Sequence, residues 1–147
     1  MNPIRFSKIL IVDDSEAFRL KVKRLLVEGQ VGYYHYEAKD GAEAISLYKT
    51  VRPHVVIMDI MMPNVNGIQA IKEIIKIDPK AKIIVCSTRD NKEIIDAAIK
   101  SGGAKDFLIK PFNTGDVVMA ISKQLVENRD YSRSSTSAKQ IQKLKTS

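Results

Sequence analysis

Hydrophobic and polar residues follow two alternating patterns along the chain. Short runs rich in β-branched residues are typical of strands, and longer stretches whose apolar residues recur at helical spacing separate them. The predicted strands span residues 8–12, 33–38, 54–59, 82–87 and 106–109. Because a helical stretch follows each strand, the pattern predicts five consecutive strand–helix units.

Each predicted helix has one apolar face. The five faces consist of Phe18, Val22, Leu25 and Leu26; Ala44, Leu47, Tyr48 and Val51; Ile68, Ile71, Ile74 and Ile75; Ile94, Ile95, Ala98 and Ile99; and Val117, Val118, Ile121 and Leu125. Strands 8–12, 54–59 and 82–87 are nearly all apolar, as parallel strands covered on both faces are, whereas 33–38 alternates like an edge strand. These patterns predict an α/β fold, a doubly wound (βα)5 open parallel sheet.

The composition is that of one ordinary globular domain. The chain has 147 residues, of which 28% are charged and 44% hydrophobic. Its one cysteine, Cys86, lies in an apolar run and has no second cysteine to pair with, so we expect a reducing, cytoplasmic environment. The longest apolar run, 117–121, is far shorter than the roughly 18 residues that a membrane-spanning helix needs. We therefore expect no membrane segment and no signal peptide.

The formal charge of +7 is unevenly distributed. Residues 128–147 carry five basic side chains and one acid, so this segment holds +4 of the total. It is also rich in Ser and Thr, a composition that buries too little apolar surface to offset the entropy of ordering. We predict a domain over residues 1–127 and a basic Ser/Thr-rich tail or linker over 128–147.

Charged side chains follow the predicted strands at the end where ligands bind in open parallel sheets. Asp13 and Asp14 follow the first strand, Asp59 ends the third, and Lys110 follows the fifth. Each alone has an ordinary explanation, such as a helix cap or a loop. Together they place three carboxylates at one edge, one of them on a central strand where an uncompensated charge is costly. The cluster therefore needs a cation.

Oxygen ligands without His or Cys favour a hard ion, Mg²⁺ or Mn²⁺. Lys110 alone has too little charge for three carboxylates, but a divalent ion with Lys110 opposite it would leave room for one more anion. That arrangement meets the electrostatic requirement of phosphoryl transfer onto a carboxylate. Asp59 stands alone on its strand, so we expect it to be the acceptor and expect Asp13 and Asp14 to serve the metal.

Four motifs at these positions resemble the receiver domain of bacterial and archaeal two-component response regulators. They are IVDDS at 11–15, DIMMPNVNG at 59–67, CS at 86–87 and FLIKPF at 107–112. The resemblance covers about residues 7–126 and is strongest to the single-domain chemotaxis type. It implies a flavodoxin-like fold with the strand order 2-1-3-4-5.

The resemblance also implies roles for individual residues at the metal and phosphorylation site. Asp59 would be the phosphoaspartate. Asp14, Asp59 and the backbone carbonyl of Met61 would bind Mg²⁺, with Mn²⁺ as a substitute, and Asp13 would act through water.

The response to phosphorylation is implied in the same way. Lys110 would pair with the phosphoryl group and would precede a cis bond to Pro111. Ser87 would donate a hydrogen bond to the phosphoryl group, and the rotamer of Phe107 would follow Ser87. Two hydroxyls are adjacent here, and the position directly after the apolar strand favours Ser87, while Thr88 stays open. The connection at 101–104 is one residue longer than is usual in the family.

The predicted function is that of a signalling domain. It takes a phosphoryl group from a histidine kinase onto Asp59 with Mg²⁺, and then binds a downstream protein through the fourth helix, fifth strand and fifth helix. Its catalysis is limited to its own phosphorylation and dephosphorylation. We expect no membrane binding and no specific nucleic-acid binding by this chain alone, and a monomer or a phosphorylation-dependent dimer are both open.

Two alternatives come from other classes of protein. In the first alternative, the chain would be the receiver fragment of a larger transcription regulator, although no helix-turn-helix fits in the last twenty residues. The other alternative, an aspartyl-phosphate phosphohydrolase, would need a second acid two residues after the nucleophile, where this sequence has Met61.

Overall fold

The computed structural model describes residues 5–61 and 67–125. Within them, five parallel strands form one sheet: β1 (Lys8–Val12), β2 (Tyr34–Ala38), β3 (Val55–Asp59), β4 (Ile83–Ser87) and β5 (Asp106–Ile109). The strand order is β2-β1-β3-β4-β5, which confirms both the predicted parallel sheet and the edge position of the second strand. The predicted tail at 128–147 and part of the motif at 59–67 lie outside the described residues.

Helices connect the strands as predicted. They are α1 (Glu16–Glu28), α2 (Gly41–Val51), α3 (Gly67–Ile77), α4 (Lys92–Ala97) and α5 (Thr114–Leu125). Ser15 caps α1 by accepting the N–H of Phe18, and Asp40 caps α2 by accepting the N–H of Glu43. None of the helices in the described ranges is long and apolar enough to cross a membrane.

The sheet separates two apolar cores. On one face, Val22 and Leu26 of α1 pack with Val117 and Ile121 of α5. The other face is covered by buried residues of α2, α3 and α4, which include Ala44, Tyr48, Ile71, Ile74 and Ile95. Helices therefore cover both faces, which is the doubly wound arrangement that the continuous apolar strands predicted.

The largest local difference from the sequence pattern is at the end of the fourth helix. The α-helix ends at Ala97 and continues as one π-helical turn, Ala98–Gly102, before Gly103 adopts a left-handed conformation with φ of 96°. A π turn accommodates one extra residue within a helix. After this turn, β5 pairs with β4 in parallel, with Asp106 opposite Ile84 and Ile109 opposite Ser87.

Candidate functional site

The three aspartates predicted to converge lie together at the carboxyl end of the sheet. Asp13 and Asp14 follow β1, and Asp59 is the last residue of the neighbouring strand β3. One carboxylate oxygen from each lies within 4.8 Å of the others. Asp13 is 2% exposed and Asp59 6%, whereas Asp14 is exposed to solvent. The cluster is therefore open on the side of Asp14.

Lys110 reaches this cluster from the end of β5. Its Nζ lies 3.3 Å from Asp13 Oδ2 and 3.6 Å from Asp59 Oδ2. Its backbone N–H donates to the carbonyl of Ser87, and the Lys110–Pro111 peptide is cis. The ammonium also lies 4.0 Å from the centroid of the Phe18 ring, a cation–π contact that the sequence pattern did not reveal. The position of Lys110 is therefore fixed by the two carboxylates, the Ser87 carbonyl and the Phe18 ring.

Asp13 is the most constrained of the three carboxylates. Its Oδ1 accepts the N–H of Ser15 at 2.9 Å, and its Oδ2 faces Lys110. Burial raises the pKa of Asp13, although the Ser15 N–H and the Lys110 ammonium both act to lower it. Both oxygens of Asp13 are thus already engaged by the chain, whereas Asp14 faces solvent.

Asp59 and its neighbours complete an oxygen-rich donor set. Asp59 Oδ1 accepts the N–H of Met61 at 3.0 Å, which fixes the backbone directly after the strand. Carboxylate oxygens without His or Cys suit a hard divalent cation. Among the described residues, Lys110 is the cation within 4.0 Å of the buried carboxylates Asp13 and Asp59. The residues present therefore fit a Mg²⁺ or Mn²⁺ ion both in donor chemistry and in charge.

Arg19 supports the loop that carries Asp13 and Asp14. Its guanidinium donates to the backbone carbonyl of Asp13 at 2.7 Å and to Glu37 Oε1 of β2 at 2.9 Å. Lys23 holds the second oxygen of Glu37 at 2.9 Å, and hydrogen bonds from Lys23 and Arg19 lower the pKa of Glu37. Sequence reasoning missed Arg19, because basic residues four apart on a helix most often mark a solvated face.

Ser87 and Thr88 differ in burial, which bears on the choice between them. Ser87 is 2% exposed at the end of β4, whereas Thr88 is exposed. Asn91 donates through Nδ2 to both hydroxyl oxygens, at 2.8 Å to Ser87 and 3.0 Å to Thr88. Phe107 is buried on β5 in the core beneath α4. The sequence analysis also missed Asn91.

Comparisons with known proteins agree with this geometry. A family model described as a response regulator receiver domain matches residues 9–122. Chemotaxis protein CheY of Thermotoga maritima is 49% identical over 117 residues, which are 79% of this chain and 95% of that protein. Chemotaxis protein CheY of Bacillus subtilis is 44% identical over 80% of this chain and 97% of its own length.

Solved structures show the same fold. Vibrio cholerae chemotaxis protein CheY4 superimposes with a TM-score of 0.74 at 30% identity, over 82% of this chain and 99% of that one. The CheX–CheY–BeF3–Mg²⁺ complex of Borrelia burgdorferi matches with a TM-score of 0.73 at 28% identity, over 82% of this chain and 90% of that one. Family match, identity and fold agree with the motifs at the strand ends. This chain therefore belongs to the response regulator receiver domain family and is the receiver domain of a CheY-like two-component response regulator.

Proposed function

We propose that this chain accepts a phosphoryl group on Asp59 from the phosphohistidine of a histidine kinase. A carboxylate oxygen of Asp59 attacks phosphorus, the P–N bond to the kinase histidine breaks, and the P–O bond of an aspartyl phosphate forms. The observation that carries this proposal is the position of Asp59 at the end of a central strand, with two further carboxylates and the ammonium of Lys110 around it. Hydrolysis of the acyl phosphate returns the carboxylate.

The proposed metal ligands are those that the family resemblance implies. Asp14, Asp59 and the backbone carbonyl of Met61 would hold Mg²⁺, or Mn²⁺ in its place, while Asp13 would contact it through water. The exposure of Asp14 and the full engagement of both Asp13 oxygens support this division between direct and water-mediated ligands. When bound, the ion supplies charge neutralisation for the transferred phosphoryl oxygens.

Three further residues would convert phosphorylation into a change of surface. Lys110 would move from Asp13 and Asp59 to a phosphoryl oxygen, and the Ser87 hydroxyl would donate to another. Phe107, buried on β5, would change rotamer with Ser87. We assign Ser87 this role over Thr88, because its hydroxyl lies at the buried end of β4. A downstream protein would then bind the face formed by α4, β5 and α5.

The domain boundaries, the cellular location and the extent of catalysis are part of the same proposal. Residues 1–127 form the receiver domain and 128–147 a basic tail, and the protein works in the cytoplasm. Its catalysis is confined to its own phosphoryl group. Met61 occupies the position where a phosphohydrolase would need a second acid, which disfavours that alternative.

The direct test is chemical phosphorylation. The protein is incubated with Mg²⁺ and acetyl phosphate, and the modified residue is mapped by mass spectrometry before and after treatment with hydroxylamine, which cleaves acyl phosphates. We expect one hydroxylamine-sensitive phosphoryl group on Asp59, and none in Asp59→Asn. Modification that persists in Asp59→Asn would contradict the proposal.

Lys110→Ala should still be phosphorylated but should lose the coupled change at Ser87 and Phe107.

A further inference from the structure

Asn91 occupies the N-cap position of α4 but does not cap it. Its side chain makes no hydrogen bond to the first turn of the helix, and its backbone has φ of −103° and ψ of 29° rather than the extended conformation of a capping residue. In contrast, Ser15 and Asp40 are extended and cap α1 and α2 through their side chains. The N-terminus of α4 therefore lacks a contact that two other helices of this chain possess.

The Asn91 side chain is instead turned back toward β4. Its Nδ2 donates to the Ser87 hydroxyl oxygen at 2.8 Å and to that of Thr88 at 3.0 Å, across the single 3-10 turn Arg89–Asn91. The Asn91 side chain thus donates hydrogen bonds to both hydroxyls at the end of β4, although it stands at the position from which it could cap α4. Capping through Oδ1 requires the extended backbone of a capping residue, which Asn91 does not have while its Nδ2 donates to the two hydroxyls.

We propose that Asn91 is a positioning residue that links the Ser87 hydroxyl to the start of α4: it holds the hydroxyl before phosphorylation and caps the helix afterwards. This inference rests on the proposed phosphorylation of Asp59. It adds to that function a specific route by which the site reaches the binding face.

The exchange follows from the relative strength of the hydrogen bonds. A hydroxyl bonded to an anionic phosphoryl oxygen makes a charge-assisted bond, which is stronger than the bond that it accepts from a neutral amide. Because one hydroxyl can donate and accept at the same time, the exchange requires the Ser87 Oγ to turn toward the phosphoryl group on Asp59, which takes it out of reach of Asn91 Nδ2. Asn91 then loses its shortest contact, turns its backbone to the extended region, and accepts the N–H of Glu93 or Ile94 through Oδ1. The 3-10 turn opens and the first turn of α4 becomes fixed.

Amide hydrogen exchange of Glu93 and Ile94 measures this capping directly. The full chain is compared with and without Mg²⁺ and beryllofluoride, an analogue of the phosphoryl group. In the wild type, we expect exchange at these amides to slow on the order of fivefold when the analogue is added, as the gain of one cap predicts. In Asn91→Ala, exchange should be fast in both states because no cap can form.

Two further variants make the test specific. Asn91→Asp retains the capping oxygen but has no N–H to donate to Ser87, so exchange should be slow in both states. Thr88→Val removes only the second acceptor and should behave like the wild type. A purely structural role of Asn91 would lower protection equally in both states and would not produce these opposite patterns.

The outcomes separate this inference from the proposed function. Mass spectrometry of each variant after treatment with acetyl phosphate shows whether Asp59 is phosphorylated. If Asp59 is modified and Asn91→Ala still shows the wild-type slowing, the role of Asn91 is wrong and the proposed function stands. If Asp59 is not modified in the wild type, the proposed function fails and this inference fails with it.

Discussion

The two ends of the sheet use charge in opposite ways. At the amino end, lysines meet helix carbonyls: Lys8 Nζ donates to the carbonyl of Val51 at 2.9 Å, and Lys82 Nζ donates to that of Gln124 at 2.5 Å. The buried Asp106, at the start of β5, has the ammonium of Lys123 3.1 Å away. Since the helices of this fold end there, the lysines also meet the negative ends of helix dipoles.

At the carboxyl end, the charges are not balanced. Asp13, Asp14 and Asp59 are clustered, and Lys110 is the ammonium that contacts the two buried ones. The described lysines at the amino end thus each have an oxygen partner, whereas excess negative charge gathers at the end that is proposed to bind a cation. The function of the site is therefore expected to cost folding free energy.

The comparison predicts opposite signs for the same substitution at the two ends, and the resulting difference in stability between the two variants, about 3 kcal/mol, is the largest effect that we expect. Asp59→Asn removes one repelling charge, so without Mg²⁺ it should stabilise the protein by about 1 kcal/mol while abolishing phosphorylation. Asp106→Asn removes a buried carboxylate that lies 3.1 Å from the ammonium of Lys123, whose side chain is 21% exposed, and should destabilise the fold by about 2 kcal/mol. Urea unfolding in EDTA measures both.

The two substitutions, Asp59→Asn and Asp106→Asn, are chemically matched, so their results can also contradict the comparison. Both changes replace one buried carboxylate by an amide of the same shape, so a general effect of the substitution would shift both proteins in one direction. Two destabilised variants would show that the carboxylate cluster at the carboxyl end is not strained in the absence of metal.

The sequence predicted the regular parts of this molecule well because their signals are local. Continuous apolar runs marked the central strands, and one apolar face marked each helix. The acidic residues were found because three carboxylates and one lysine at strand ends have no structural explanation as a set. The motif resemblance then supplied the strand order that periodicity alone does not determine.

The contacts that the sequence did not reveal are those that depend on side-chain direction. Arg19 looked like a residue of a solvated helix face, but it bonds the carbonyl of Asp13. Phe18 looked like a core residue, yet its ring faces the Lys110 ammonium. Asn91 had no role predicted from the sequence, yet its Nδ2 donates to the Ser87 hydroxyl. Each of these roles is decided by a rotamer, which spacing along the chain does not specify.

Mg²⁺ should offset the excess negative charge at the carboxyl end of the sheet. By mass action, a concentration one hundred times the Kd should stabilise the folded protein by about 2.7 kcal/mol. Asp14→Ala should abolish this gain, because it removes a proposed direct ligand, and Asp13→Ala should weaken it. Thermal melts across a Mg²⁺ titration provide the measurement. Equal Mg²⁺-dependent shifts in wild type and Asp14→Ala would exclude Asp14 from the coordination shell.

Arg19 offers a smaller and more specific effect, since it touches the metal site only through the backbone. Arg19→Gln should weaken Mg²⁺ binding about tenfold, as loss of a residue that orients a ligand does. Lys23→Gln is the control: Lys23 bonds the same Glu37 but does not contact Asp13, so its Mg²⁺ affinity should stay within about twofold of the wild type. Equal losses in both variants, measured by titration calorimetry, would assign the effect to Glu37 rather than to the Asp13 carbonyl.

The smallest effect should follow from removal of the basic tail, residues 128–147. This segment carries +4 and has only Ile141 and Leu144 as large aliphatic residues, too little apolar surface to hold a short helix alone. Truncation after Glu127 should therefore leave the melting transition, Mg²⁺ binding and phosphorylation of Asp59 unchanged. It should lower only the salt-sensitive part of the affinity for an acidic partner, because exposed charges act through a screened field. Loss of phosphorylation or of the cooperative melt in the truncated chain would place the domain boundary beyond residue 127.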